Sequence, residues 1–233
     1  VKKRFVTYGL TNQADFQAAE IVHDGEKTSF NVYYQSEKLG EITLHMPGRH
    51  NVLNALAAVA VGMELELPFK VIAEGLNEFG GVQRRFQVKH NKNDIMVVDD
   101  YGHHPVEIKA TLSAACSGWE KRVVAVFQPH RYSRTHDAFE DFVSALSAVD
   151  VLLLAEVYAA GETPIAGADG RTLSRAIRIR GHVDPVFVDD VKQLPVILED
   201  IVADGDIVVT MGAGNIGQVA ARMAEEFCGC EAK

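Results

Sequence analysis

The second half of the chain alternates short apolar runs with segments of helical hydrophobic spacing. Five apolar runs follow one another: IMVVDDY, RVVAVFQP, VLLLAEV, PVFVDD and DIVVTMG. Amphipathic helices are predicted after each run, over residues 105–116, 138–149, 173–180, 191–202 and 216–227. Because strands that alternate with helices are typical of a doubly wound parallel sheet, we predict a Rossmann-like α/β domain over residues 88–233.

The first part of the chain has a different pattern. Over residues 30–46, apolar positions alternate with polar ones around a turn at residues 36–40, which predicts a β-hairpin with one buried face. The alanine-rich run NVLNALAAVAVGMEL then predicts a buried helix from Asn51, and a second helix is predicted after Pro68. Residues 1–87 are therefore predicted to place a hairpin and two helices ahead of the sheet.

Composition narrows the class of protein. A chain of 233 residues that is 47% hydrophobic and has a net charge of −9 is typical of a soluble globular protein, and its acidic surplus disfavours a general nucleic-acid surface. No apolar run approaches the roughly 18 residues of a membrane span. Three cysteines, Cys116, Cys228 and Cys230, indicate neither a disulfide framework nor a zinc site, and they favour a reducing cytoplasm. The opening at Val1 suggests a piece of a longer protein.

The loops after the predicted strands carry the candidate chemistry, because doubly wound sheets bind ligands beyond the carboxyl ends of their strands. In DDYGHHP, the carboxylates of Asp99 and Asp100 could accept hydrogen bonds from ribose hydroxyls, and a histidine at the helix N-terminus lies where backbone N–H groups and the helix dipole favour an anion. Capping of the helix by the aspartates is the alternative. A metal site that includes Asp99 and His104 is disfavoured, since neighbouring residues rarely point at one ion.

Two further motifs could bind a nucleotide or another anion. In QPHRYSRT, Arg131 and Arg134 are three residues apart, and two guanidinium groups at that spacing can converge on a carboxylate or phosphate; a solvated basic loop is the alternative. Asn51 and Asn54 share one helix face, and their amides could pair with an adenine edge. A role as helix N-cap would explain one of the two asparagines.

The stretch VTMGAGNIGQ contains a G-x-G-x-x-G pattern formed by Gly212, Gly214 and Gly217. This pattern would suit an NAD(P)-binding oxidoreductase, because such glycines let the backbone approach a pyrophosphate. It occurs near the end of the chain, however, without the following strand and acidic ribose ligand that a dinucleotide site needs. We therefore favour a loop that shapes the rim of another ligand site, with Asn215 as its side chain of interest.

Several long stretches resemble the Mur ligases: GRHNVLNALAA, GVQRRFQ, VVDDYGHHPVEI, FQPHRYSRT and MGAGNI. Within that family, HRYSRT favours the members that join L-alanine to UDP-N-acetylmuramate over those that recycle murein tripeptide. The resemblance implies an ATP- and Mg²⁺-dependent ligase that makes an acyl phosphate during peptidoglycan synthesis. It also implies that residues 1–87 are the later part of the central ATPase domain and that residues 88–233 are the C-terminal domain.

The resemblance further implies roles for particular residues. The nucleotide would be bound by His50, Asn51 and Asn54 at the adenine, by Asp100 at the ribose and by Tyr101 near the base. The catalytic set would comprise Arg85 at the terminal phosphate, with His103, Arg131 and Arg134 around the sugar nucleotide and alanine.

One expected element of the family is missing from these 233 residues, since no G-x-x-x-x-G-K-[ST] loop occurs among them. That loop contacts the phosphates and Mg²⁺, so most Mg²⁺ ligands are expected outside this chain, and the chain alone is predicted to be inactive. A stable pair of domains with at most weak nucleotide binding is the non-enzymatic alternative.

Overall fold

The computed structural model describes residues 5–92 and 94–229, which form two compact units. The first unit comprises the described residues up to Gly81 together with Ser117–Trp119, and the second comprises Val82–Cys116 and the described residues from Glu120 onward. The predicted domain boundary between residues 87 and 88 lies after the point at which the chain enters the second unit.

The first unit contains a four-stranded sheet and two helices. The strands are ordered β1-β2-β3-β4 in space, and only β1 and β2 pair in parallel. The elements are β1 (Tyr8–Gly9), β2 (Phe16–Asp24), β3 (Lys27–Tyr34), β4 (Glu37–Leu44), α1 (Arg49–Glu64) and α2 (Phe69–Glu78). One sheet face packs on α1 through a buried apolar cluster that includes Phe30, Ile42 and Leu56.

The predicted hairpin is present as β3 and β4, but its turn was placed wrongly. The turn is formed by Gln35 and Ser36, both with positive φ (47° and 72°), as a two-residue turn of twisted strands requires. Gly40 lies within β4, where a Cβ would come 2.7 Å from the Phe69 ring. Strand β2 was not predicted, because a bulge near Glu20 interrupts its alternating pattern.

Helix α1 begins at Arg49, and its N-cap is Gly48 (φ 97°). Asn51 is therefore not the N-cap that sequence considerations allowed. Its side-chain Nδ2 donates instead to the carbonyl oxygen of Pro47 at 2.8 Å.

The second unit contains a six-stranded sheet in the order β5-β6-β10-β7-β8-β9. All pairs are parallel except that of the edge strand β5 with β6. The strands are β5 (Gln87–Lys92), β6 (Ile95–Asp100), β7 (Arg122–Phe127), β8 (Val151–Ala155), β9 (Val186–Val188) and β10 (Asp206–Met211). The helices are α3 (Pro105–Gly118), α4 (Tyr132–Asp137), α5 (Phe139–Leu146), α6 (Gly170–Arg180), α7 (Leu194–Glu199) and α8 (Gly217–Gly229).

This arrangement confirms the predicted α/β class and corrects several details. Strand β5 was missed because its sequence, QVKHNK, has no apolar run. The helix predicted over residues 138–149 is shorter, and α4 precedes it inside the presumed loop. The helix predicted over 191–202 is a 3-10 turn, Val191–Gln193, followed by α7.

Strand β10 is the last strand along the chain but lies in the middle of the sheet, between β6 and β7. All six of its residues are buried. Among the described residues, no helix is long and apolar enough to cross a membrane. The side chain of Cys228 and the whole of Cys230 lie outside the described part, whereas Cys116 is exposed.

Candidate ligand site at the carboxyl edge of the sheet

Three neighbouring strands, β6, β10 and β7, end side by side and bring three of the predicted loops together. The backbone N–H of Gly212 donates to the carbonyl oxygen of Asp100 at 3.1 Å, and that of Gln128 donates to Met211 at 3.0 Å. The loops DDYGHHP and QPHRYSRT therefore flank MGAGNIG. Sequence considerations placed all three at one edge, but the position of β10 determines which are neighbours.

Asp100 is a buried carboxylate bound by its own backbone surroundings. Its Oδ2 accepts from the Phe86 N–H at 2.8 Å, and its Oδ1 accepts from the Gly102 N–H at 2.6 Å. Burial raises the pKa of Asp100, and the two backbone hydrogen bonds and the charge of Arg85 only partly oppose that effect. A buried acid with a raised pKa in a strand-end loop is a recognised feature of functional sites.

Glu107 organises the start of α3 and links two of the predicted catalytic residues. Its Oε2 accepts from the N–H groups of His103 and His104, both at 3.1 Å, and its Oε1 accepts from Arg85 at 3.0 Å. Burial opposes ionisation of Glu107, but these hydrogen bonds outweigh it and its pKa is lowered. Glu107 thus caps α3, the role that the alternative prediction gives to the aspartates. Glu107 lies three residues after His104, which is the spacing of the acidic residue in a capping box, so its capping role could have been predicted from the sequence.

Arg131 and Arg134 line a cavity of about 490 Å³ at the end of β7. Arg131, with φ of 74°, is the N-cap of α4, and its guanidinium lies 3.8 Å from the Glu162 carboxylate. Arg134 donates to the carbonyl oxygen of His130 at 2.9 Å. The other lining residues are His104, Ser133, Asp137, Ala138 and Asp141. Both guanidinium groups therefore border one space that can accept an anion.

His130 and Tyr158 belong to the same edge and were not among the predicted site residues. Their rings stack with centroids 5.5 Å apart, and the His130 ring also lies 6.0 Å from that of His103. Burial lowers the pKa of His130, and the nearby Arg134, His103 and Arg131 lower it further, against a smaller opposite effect of Glu162. Tyr158 and Glu162 come from EVYAAGE, the loop that follows β8.

The three glycines of MGAGNIG pack against side chains of the protein itself. A Cβ at Gly212 or Gly214 would collide with Gln128, and one at Gly217 would lie 2.8 Å from the Arg84 guanidinium. Gln128 also binds the loop, because its Oε1 accepts from Ile216 N–H at 3.2 Å and its Nε2 donates to Asn215 at 2.9 Å. Packing against the protein's own side chains thus explains why these three positions are glycines. The G-x-G-x-x-G pattern therefore no longer supports a dinucleotide-binding site.

Tyr101 follows β6 in the second unit, with its ring 5.4 Å from that of His103, whereas the other three predicted nucleotide-binding residues, His50, Asn51 and Asn54, lie in the first unit. Asn51 and Asn54 share a helix face as expected, since the Asn54 amide donates to the Asn51 side chain at 3.4 Å. His50 precedes them in α1 and is half-buried. Across residues 5–92 and 94–229, no three His, Cys, Asp or Glu side chains are grouped to hold a metal ion.

The comparisons with known proteins agree with this architecture. Residues 84–214 match the family model described as "Mur ligase, glutamate ligase domain", and residues 1–62 match "Mur ligase middle domain". The chain therefore belongs to the Mur ligase family.

Individual relatives narrow the resemblance. The chain is 56% identical over 97% of its length to a UDP-N-acetylmuramate–L-alanine ligase of Syntrophotalea carbinolica and covers 49% of that protein. A solved UDP-N-acetylmuramate–alanine ligase from Thermotoga maritima superposes with a TM-score of 0.81 at 28% identity, with 97% of this chain and 48% of that one covered. A murein peptide ligase from Psychrobacter arcticus has a TM-score of 0.60 at 24% identity, with 94% and 45% covered, and shows the fold alone. The chain thus spans about half the length of these relatives.

Proposed function

We propose that the chain is the carboxyl-terminal half of a cytoplasmic ligase that joins L-alanine to UDP-N-acetylmuramate at the expense of ATP in peptidoglycan synthesis. Support comes from the sequence identity to ligases of that name over nearly the whole chain. The observation that carries the proposal structurally is the cavity bordered by Arg131 and Arg134 at the carboxyl edge.

The chemistry of the reaction explains why such a cavity is useful. The muramic carboxylate would take the terminal phosphoryl group of ATP to give an acyl phosphate and ADP. The amine of alanine would then attack the acyl carbon, and loss of phosphate and a proton would give the amide. UDP-N-acetylmuramate and the acyl phosphate are anionic, alanine carries a carboxylate, and fixed guanidinium groups stabilise charge that spreads over oxygens during the transfer. Arg131 and Arg134 would orient a carboxylate of the sugar nucleotide or alanine, and His103 would lie beside them.

Other residues would bind ATP. Arg85, held by Glu107, would contact the terminal phosphate, while Asp100 and Tyr101 would contact the ribose and base. In the first unit, His50, Asn51 and Asn54 would contact the adenine. The described residues offer no cluster suited to Mg²⁺.

The first test uses the chain alone. ADP release is measured with ATP, Mg²⁺, UDP-N-acetylmuramate and L-alanine. We expect no turnover above a blank, because no phosphate-binding G-x-x-x-x-G-K-[ST] loop occurs in these 233 residues. Turnover would contradict this expectation.

The second test fuses the chain to the complementary amino-terminal half of the Syntrophotalea carbinolica ligase. We expect ADP release that requires both UDP-N-acetylmuramate and L-alanine. Arg131→Ala should raise the KM for sugar nucleotide or alanine, or lower kcat, by a factor that corresponds to about 1.5 to 3 kcal/mol. Arg175→Ala, at an exposed position outside the cavity, is the matched control and should change neither.

Two outcomes would contradict the proposal. A folded fusion that turns over only with murein tripeptide would point to the recycling ligase instead. A folded fusion without any ligase activity would reject both assignments.

A further inference from the structure

Arg84 occupies the junction of two strand-end loops, although sequence considerations singled out its neighbour Arg85. Its Nε donates to the Asp99 carboxylate at 3.0 Å, and its NH2 donates to the carbonyl oxygen of Gly212 at 2.8 Å. The guanidinium therefore bridges the end of β6 and the end of β10. Because the Asp99 side chain is only 3% exposed, the ion pair holds the guanidinium in one position.

Arg84 contacts Tyr101 both through its side chain and through its backbone. The Arg84 guanidinium lies over the Tyr101 ring, 5.1 Å from its centroid, and the Arg84 carbonyl oxygen accepts from the Tyr101 N–H at 2.6 Å. The φ of Arg84 is 57°, a left-handed conformation that directs its backbone and side chain to these partners. Tyr101 is 38% exposed, and its ring is thus restrained on one face by a fixed cation in addition to its edge contact with the His103 ring.

Gly217, the last glycine of the G-x-G-x-x-G pattern, provides the space for this arrangement. A Cβ at Gly217 would lie 2.8 Å from both Cζ and NH2 of Arg84. Its backbone has no positive φ that would demand glycine, so close approach of the guanidinium is the physical reason for the residue type.

We propose that Arg84 is a positioning residue. Packed against Gly217, its guanidinium holds Tyr101 and the MGAGNIG loop in the arrangement that binds the nucleotide. Arg84 itself does not contact the nucleotide in this scheme. The effect on nucleotide binding rests on the proposed function, because Tyr101 is placed near the base only by family resemblance.

The structural part is tested on the chain alone by NMR with ¹³C-labelled tyrosine, with the Tyr101 ring signal assigned through Tyr101→Phe. Arg84→Met and Gly217→Ala should both shift that signal. Arg171→Met is the matched control, because Arg171 also pairs with an aspartate and lies 4.6 Å from the centroid of the Phe187 ring, and it should not shift it. Unchanged Tyr101 signals in Arg84→Met or Gly217→Ala would overturn the proposal.

Gly217→Ala keeps the proposal falsifiable if Arg84→Met fails to fold. Alanine favours helix formation more than glycine does at the first residue of α8, so thermal stability should be kept while the guanidinium is displaced. If the Tyr101 signal shifts while the variant stays folded, then Arg84 positions Tyr101 and does not act only through the stability of the fold. Arg84→Lys should not restore the wild-type signal, because an ammonium has neither the planar face nor the fork.

The functional part is tested in the fusion with the amino-terminal half. Arg84→Met and Gly217→Ala should raise the KM for ATP about tenfold, which corresponds to about 1.4 kcal/mol of lost binding because Tyr101 is no longer held in place, and leave the KM for L-alanine unchanged. An unchanged KM for ATP in an active fusion would overturn the inference. An inactive wild-type fusion would reject the proposed function instead, and the NMR measurement would still decide whether Arg84 positions Tyr101.

Discussion

Two buried aspartates at opposite ends of the same sheet have opposite electrostatic surroundings. Asp206, at the start of β10, receives two hydrogen bonds from Arg122, at 2.9 and 2.6 Å; burial alone would raise its pKa, but these bonds, the Ala203 N–H and the charges of Arg122 and Lys121 together lower it. Asp100, at the end of β6, is bound by the N–H groups of Phe86 and Gly102 at similar distances and by the Thr111 side chain, and burial outweighs these contacts and raises its pKa.

The difference distinguishes the roles of the two edges. At the amino edge, Arg122 neutralises the carboxylate and also donates to the carbonyl oxygen of Ile201 at 2.9 Å, so the charges there stabilise the fold. At the carboxyl edge, no guanidinium of the described residues is hydrogen-bonded to the Asp100 oxygens, and Arg131 and Arg134 border a cavity at the end of β7. Charge that is left incompletely paired is available to a ligand.

The largest effect on stability is expected from Arg122→Met, which leaves the Asp206 carboxylate buried without its cation. Unfolding in urea should show a loss of about 1.5 to 3 kcal/mol, the value of hydrogen bonds to a charged group. The Tyr101 NMR signal should not change, since the pair lies at the other edge. A loss within about 0.5 kcal/mol would mean that the Ala203 N–H alone satisfies Asp206.

At the carboxyl edge, Gly214→Ala should destabilise the protein because its Cβ would overlap Gln128 and lie within 2.9 Å of Tyr158. Urea unfolding should show a loss of about 1 to 3 kcal/mol, as for other overpacked sites. Gly75→Ala is the matched control, since nothing lies within 4 Å of its added Cβ, and it should stabilise α2. If Gly214→Ala were as stable as the wild type, internal packing would not explain the glycine, and close approach to a ligand would be the better explanation.

The pH dependence of stability should have opposite signs at the two aspartates. Because the pKa of Asp206 is lowered, its contribution is present above the ordinary value of 3.8 and is lost as pH falls through the lowered pKa. Because the pKa of Asp100 is raised, its contribution is present below 3.8 and is lost as pH rises through the raised pKa. The free energy of unfolding in urea is measured as a function of pH for Asp206→Asn and Asp100→Asn. Each variant should lack the pH dependence that its substituted aspartate contributes. If both substitutions altered the pH dependence of stability in the same direction, the two aspartates would not have opposite electrostatic surroundings.

The smallest effect is expected from Arg171→Met, which removes an exposed ion pair with Asp189. Solvent screens this pair, so the free energy of unfolding should change by less than about 1 kcal/mol. A larger loss would mean that burial is not what distinguishes Arg122 from other paired arginines.

Much of the second unit follows from local sequence. Its parallel strands and most of its helices are encoded in short apolar runs and helical spacing, because burial of one face imposes a period that neighbouring residues reveal. The candidate loops could likewise be placed at one edge, since parallel strands all end on the same side. The polar edge strand β5 and the bulged strand β2 lack such a period, and local pattern did not predict them.

The sequence by itself thus determined the α/β class, the order of most elements and the residue types near the candidate site. Only the tertiary structure decided that β10 lies between β6 and β7, that Glu107 holds Arg85, and that Gly217 makes room for Arg84 rather than for a dinucleotide. The physical reason is distance along the chain: Arg84 and Gly212 are hydrogen-bonded although 128 residues apart, and such contacts depend on how the whole sheet packs.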